Sequence, residues 1–174
     1  VIRHKFYQKP GRTGVGVCLD GSEYSPAVLT FIKRRLPLFA KDARFHLINV
    51  ASPQNGLLIP EVSAFGAPAL SSEEFEKEQR DPFFKIARPF EKYMQEKGHE
   101  VVEALLTGDP AAQISKYAQD HNLSLMVMGT HGGNSLRIMM LGSVTMSVAS
   151  QTKLPILLVH HDDPTLLRDL SKEE

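Results

Sequence analysis

The chain has 174 residues, 42% of them apolar and 23% charged, with twenty basic residues balancing twenty acidic ones. This length supports a single core that needs no metal or disulfide staple, and zero net charge argues against a general nucleic-acid surface while leaving room for a local phosphate site. The single cysteine, Cys18, excludes an internal disulfide and points to a reducing, cytoplasmic setting, and no apolar run reaches the roughly 18 residues of a transmembrane helix.

Residues 1–12 are polar and basic, end in Pro10-Gly11, carry no signal-peptide pattern and are expected to form a flexible tail. From residue 13 to 160 short apolar runs alternate with helical segments, and residues 161–174 form a charged tail. TGVGVCL (13–19), rich in Val and bounded by Asp20-Gly21, predicts a buried strand. SEYSPAVLTFIKRRL (22–36) predicts a helix with Ser22 as N-cap and Pro26 in the first turn. Val28, Leu29, Ile32 and Leu36 form its apolar face, and Pro37 ends it.

RFHLINVA (44–51) predicts a second strand. The segment 52–72, with three Pro and two Gly, is too long for a tight connection and is expected to be a functional loop or flap. Phe83, Ala87, Phe90 and Met94 then mark one face of a helix that Pro82 and Pro89 are expected to break or kink. HEVVEALL (99–106) is strand three. Gly108-Asp109-Pro110 opens a helix with Asp109 as N-cap. LSLMVMG (123–129) is strand four, SVTMSVASQ (143–151) a short helix, and PILLVH (155–160) strand five.

This β-α-β-α-β-α-β-α-β order predicts an α/β, Rossmann-like fold: one doubly wound parallel sheet of order 3-2-1-4-5 with helices on both faces. Strands one and four are then neighbours whose connections leave towards opposite faces, and their C-terminal ends flank the crevice where such sheets bind ligands. Leu19-Asp20-Gly21-Ser22 and Met128-Gly129-Thr130-His131-Gly132 lie there.

The stretch GTHGGNSLRIMMLGSVTMS has the properties of a phosphate cradle. Gly129 and Gly132 let the backbone approach a bulky anion, and Gly142-Ser143 opens a helix whose unpaired N–H groups point at the loop. The Ser143 and Thr145 hydroxyls add donors. The dinucleotide fingerprint is absent, because no glycine stands at the third position after Gly16, and Gly16-x4-Gly21-Ser22 lacks the lysine of a P-loop. Asp20 suits either Mg²⁺ beside phosphate oxygens or the N–H groups of its own turn. His160-His161-Asp162-Asp163 reads as a solvated exit from the sheet, Cys18 as a core residue, and Met139, Met140 and Met146 as packing.

In these motifs the chain resembles the universal stress protein family over roughly residues 13–160. Gly129-x2-Gly132-x9-Gly142-Ser143 matches that family's ATP-binding signature, G-x2-G-x9-G-[ST], without a gap. CLDGSEYSPAVL is similar to its strand-one motif, TGDPAAQISKYAQDHNLSLMVMGTHG to its third helix and fourth strand, and PILLVH to its last strand. The resemblance implies the ATP-binding branch. It implies adenine and ribose contacts from Leu19, Asp20 and the Val50 backbone, further contacts from Met128, Gly129, His131 and Gly132, and phosphate contacts from Gly142, Ser143, Val144 and Thr145. Two positions depart from the pattern: Leu19 where a small or hydroxyl residue is common, and Gly133 where a basic residue is common, with Arg137 four residues further on.

The resemblance implies an ATP-binding regulator in the stress response, and since no motif places a water-activating base, it is expected to be at most a slow ATPase with Mg²⁺. AMP or ADP are alternative ligands. The competing reading is a regulatory interaction module that holds AMP or no nucleotide; an adenylyl-transferring enzyme would need more basic side chains around the phosphates. Regulation implies a protein partner that no motif identifies. A homodimer through strand five is also expected. Ile156-Leu157-Leu158-Val159 is an edge with no charge, Gly or internal Pro, and Leu157 is taken as an outward-facing donor. The resemblance points to the same dimer. The competing cover for that edge is the 162–174 tail.

Overall fold

The computed structural model describes residues 13–22, 24–52, 72–130 and 142–160. The elements are β1 (Gly14–Cys18), α1 (Ser25–Arg34), a 3-10 turn (Leu36–Leu38), β2 (Arg44–Ala51), α2 (Ser72–Glu96), β3 (Glu100–Thr107), α3 (Pro110–Asp120), β4 (Leu125–Gly129), α4 (Ser143–Gln151) and β5 (Ile156–Val159). All five strands pair in parallel in the order β3-β2-β1-β4-β5, as the alternation of elements predicts.

Side chains alternate along β2. Phe45 and Leu47 enter one core with Val28, Leu29 and Ile32 of α1 and Phe83, Phe90 and Met94 of α2. Ile48 enters a second core with Ala111, Ile114 and Ala118 of α3 and Val148 of α4. The sheet is therefore covered on both faces, which is why its central strands are apolar throughout. Phe45 sits at the centre of the first core, edge-on to Phe39, Phe90 and His99. Burying such a ring contributes about 2–3 kcal/mol. In the second core Gly16 makes room for Met126: a Cβ there would lie 2.5 Å from its Sδ, so the Met126 side chain would have to shift. The hinge between α3 and β2 is polar and aromatic. Buried His46 has Nδ1 2.9 Å from the Tyr117 hydroxyl, and Tyr117 stacks on His121.

Three local expectations are corrected. Ser22 is not the cap of α1. The helix starts at Ser25 after Tyr24, because the Asp20 carboxylate, a stronger acceptor, gathers the Ser22 N–H, the Ser22 hydroxyl and the Ser25 hydroxyl into one turn. Pro82 and Pro89 do not break α2, which runs through both. Both prolines lie on the exposed side, where water can take the carbonyls they leave unpaired, and the buried face of Phe83, Ala87, Phe90 and Met94 holds the helix down. Leu157 is not an outward donor. Met126 N–H donates to Pro155 O and Thr130 N–H to Val159 O, so Pro155, Leu157 and Val159 turn to β4, while Ile156 and Leu158 turn their backbone groups to the free edge.

Candidate functional site

At the C-terminal end of the sheet, β1 stops earlier than its neighbours. Its ladder with β2 ends at Cys18 opposite Ile48, with one further bond from Leu19 N–H to Ile48 O. In a parallel strand alternate residues turn both backbone groups to the same side, so Val50 is the next residue of β2 facing β1. No β1 residue is left to meet it. On the other side the β1–β4 ladder ends at Val17 opposite Val127. Thr130 N–H goes to β5, so Gly129 is the β4 residue that turns towards the space above β1. Val50 and Gly129 thus flank an opening in which backbone donors and acceptors stand without strand partners.

The floor is the Leu19–Ser22 turn. Leu19 is buried in the first core. Asp20 is exposed and takes bonds of 3.0 and 2.6 Å from Ser22 and 2.8 Å from the Ser25 hydroxyl, all on Oδ1. Gly21, at φ +76°, makes the reversal that only glycine takes cheaply. Asn49, buried at 3% exposure, donates its Nδ2 to the Leu19 carbonyl at 2.9 Å, while its Oδ1 has no partner among the described residues.

The wall is the start of α4. Gly142 N–H donates to Thr130 O at 2.8 Å and the Thr145 hydroxyl donates to Gly129 O at 3.2 Å. These two bonds fix the helix N-terminus against the end of β4. Gly142 is the N-cap residue, and the first-turn N–H groups of Ser143, Val144 and Thr145 have no carbonyl within the helix to take them. No acidic residue stands in that turn, so its partial positive charge is unopposed locally. Met128 and Val144 pack in the second core, so their backbones rather than their side chains face this end.

The structure therefore brings Leu19, Asp20, Val50, Met128, Gly129 and Gly142–Thr145 to one end of the sheet. His131 and Gly132 lie outside the described residues, as do most of the 52–71 loop and the tails. Thr145 differs from a simple phosphate donor, since its hydroxyl proton is engaged at Gly129. Asn49 was not singled out from sequence, although an Asn inside the apolar run LINVA is a legible signal. Burial pushes the Cys18 thiol up to about 12, which keeps it protonated and inert. Among the described residues no three His, Cys, Asp or Glu side chains group to hold a metal, and no helix is long and apolar enough to cross a membrane.

Comparison with known proteins points the same way as the topology. Universal stress protein MJ0577 of Methanocaldococcus jannaschii is 32% identical over 93 residues, 51% of this chain and 57% of that relative's length. Universal stress protein MJ0531 of the same organism is 31% identical over 128 residues, 68% of this chain and 73% of the relative. The solved structure of MJ0577 superposes with a TM-score of 0.66 at 26% identity, covering 85% of this chain and 95% of that one. A universal stress protein solved in complex with cAMP (TM-score 0.56, 20% identity, 87% of this chain and 98% of that one) and one from Archaeoglobus fulgidus in complex with dAMP (0.53, 17%, 84% and 97%) share the fold. The model of the universal stress protein family matches residues 12–160, the span that holds all five strands and the opening above β1, and the chain belongs to that family.

Proposed function

We propose that this domain binds an adenine nucleotide, with ATP as the preferred ligand, in the opening above β1, and that it acts as a nucleotide-dependent regulator in the stress response. The observation that carries the reading is the pair of backbone edges without strand partners at Val50 and Gly129 beside the anchored N-terminus of α4. An adenine presents an amine donor next to a ring-nitrogen acceptor, and the Val50 C=O and N–H supply the matching acceptor and donor. Guanine presents the reverse order at that edge. Leu19 and Asp20 form the floor for the base and ribose, and Met128 and Gly129 close the far side. The N–H groups of Ser143, Val144 and Thr145 take the phosphates, with Gly142 permitting close approach; His131 and Gly132 complete the set in our reading. Asp20 keeps Oδ1 in its turn, which leaves Oδ2 for a ribose hydroxyl or for Mg²⁺ beside the phosphates. Mg²⁺ would neutralise phosphate charge there. Solved proteins with this fold hold cAMP in one case and dAMP in another, so the fold accommodates adenosine monophosphates.

The same reading includes a homodimer through β5. Its outward backbone groups belong to Ile156 and Leu158, Leu158 is 41% exposed, and Met146 of α4 is 58% exposed. The opposite edge, β3, is guarded by Glu100 and Glu103. Two β5 edges paired antiparallel satisfy each other under two-fold symmetry. The direct test of the ligand is to denature freshly purified full-length chain and identify what is released. An adenine nucleotide supports the reading. A guanine nucleotide, or nothing even after incubation with ATP, contradicts it.

A further inference from the structure

We propose that Asn49 is a positioning residue that keeps the nucleotide opening from closing on itself: it takes the carbonyl that the Val50 N–H would otherwise bind. The inference rests on the reading of Val50 as a nucleotide contact and adds the device that leaves this contact unfilled.

The register defines the missing bond. Along the β1–β2 ladder, Arg44 N–H donates to Thr13 O and Leu19 N–H to Ile48 O. Continued by one step, the ladder would bring Val50 N–H to Leu19 O. That bond is not made. Asn49 Nδ2 occupies the Leu19 carbonyl at 2.9 Å, from the first-core side of the sheet. The side chain thus ends the ladder one step early, lets the chain peel away into the Asp20 turn, and leaves the Val50 N–H for a ligand acceptor.

The arrangement is poorly explained by stability. Asn49 is buried, and among the described residues its Oδ1 has no hydrogen-bond partner. An unsatisfied buried acceptor destabilises the fold, so on stability alone an apolar side chain and one more ladder bond would serve β2 better. A polar group kept at such a position beside a binding opening is the pattern of a residue retained for the site.

The test is Asn49→Leu in the full chain, read by amide hydrogen exchange without nucleotide and by ATP titration. Leu keeps the same γ-branched skeleton of heavy atoms, removes the competing donor and removes the unsatisfied acceptor. Val50 N–H is then expected to close onto Leu19 O. Its exchange slows by about tenfold or more, ATP affinity falls by about tenfold or more, and the melting temperature stays level or rises. Val50 exchange that is unchanged or faster in the variant overturns the proposal, as does unchanged ATP affinity. A lower melting temperature with faster Val50 exchange would assign Asn49 a purely structural role and also overturn it. If the Leu variant does not fold, Asn49→Ala removes the same donor in a smaller volume and carries the same expectations for Val50 exchange and ATP affinity, though not for the melting temperature, which a cavity lowers. If wild-type chain binds no ATP, the nucleotide reading fails, and Val50 exchange alone decides whether Asn49 holds the ladder open.

Discussion

Acidification is expected to weaken this fold through His46. The imidazole is 4% exposed between β2 and α3, with Nδ1 2.9 Å from the Tyr117 hydroxyl and the His121 ring centre 5.6 Å away. Burial, then electrostatic repulsion from His121 and from the Arg44 guanidinium, lower its pKa from 6.5 to about 4, against a smaller opposing pull from Glu100. An unfolded chain takes this proton near pH 6.5 and the folded chain only near 4. Between those values the unfolded state binds more protons, so stability falls as the pH is lowered. At about 1.36 kcal/mol per pH unit, one such group removes about 2.5 kcal/mol between pH 7 and pH 4.5. That is a large share of the roughly 5–15 kcal/mol that holds a domain together. Urea unfolding across this range should therefore show a steeper pH dependence for wild type than for His46→Gln, which keeps an acceptor for Tyr117 but cannot be protonated. Parallel pH profiles for the two proteins would refute the reasoning. So would an NMR titration of His46 with a midpoint between 6 and 7.

Gly142→Val should fold normally yet lose ATP binding. The residue has φ −57°, and among the described residues an added Cβ meets Thr130 O at 3.4 Å and Thr145 Oγ1 at 3.9 Å, while the branched methyls crowd the N–H groups the phosphates need. Thermal melting alongside ATP titration separates the two effects. Gly21→Ala should destabilise by about 1–2 kcal/mol, because a side chain is strained at φ +76° and its Cβ would lie 3.1 Å from Pro82 Cβ; a shift in the urea midpoint measures it. Leu158→Pro should yield a folded monomer, since it removes an outward donor, whereas Leu157→Pro should damage the sheet at β4. Sedimentation at micromolar concentration decides this, and a wild-type monomer would end the dimer proposal.

The sheet order was legible because each strand is a short apolar run and each crossover a helix, so right-handed connection left one economical topology. Strand β2 matches its run RFHLINVA residue for residue, and Asp109 caps α3 through Ala112 N–H as the Gly-Asp-Pro signal predicts. Local signals failed where two groups competed for one partner. Ser22 carried a cap signal, but the Asp20 carboxylate claimed it. Pro82 and Pro89 carried a stop signal, but the tertiary burial of Phe83 and Phe90 outweighed the lost helix bonds. The proposed site was read from sequence as a set of glycines and one Asp by family resemblance. Its physical basis was not, because the opening at Val50 depends on which way a backbone bond turns in register. Periodicity yields which face a side chain takes. It does not yield where a ladder stops, and that stop is made by Asn49 reaching across to Leu19.

Calorimetric titration of the full chain with ATP and with GTP, under identical salt and Mg²⁺, tests the central claim most directly. The account predicts saturable binding of ATP and markedly weaker binding of GTP, because the Val50 backbone offers its donor and acceptor in the order that adenine matches. Equal affinity for the two nucleotides, or no heat with either, would contradict it.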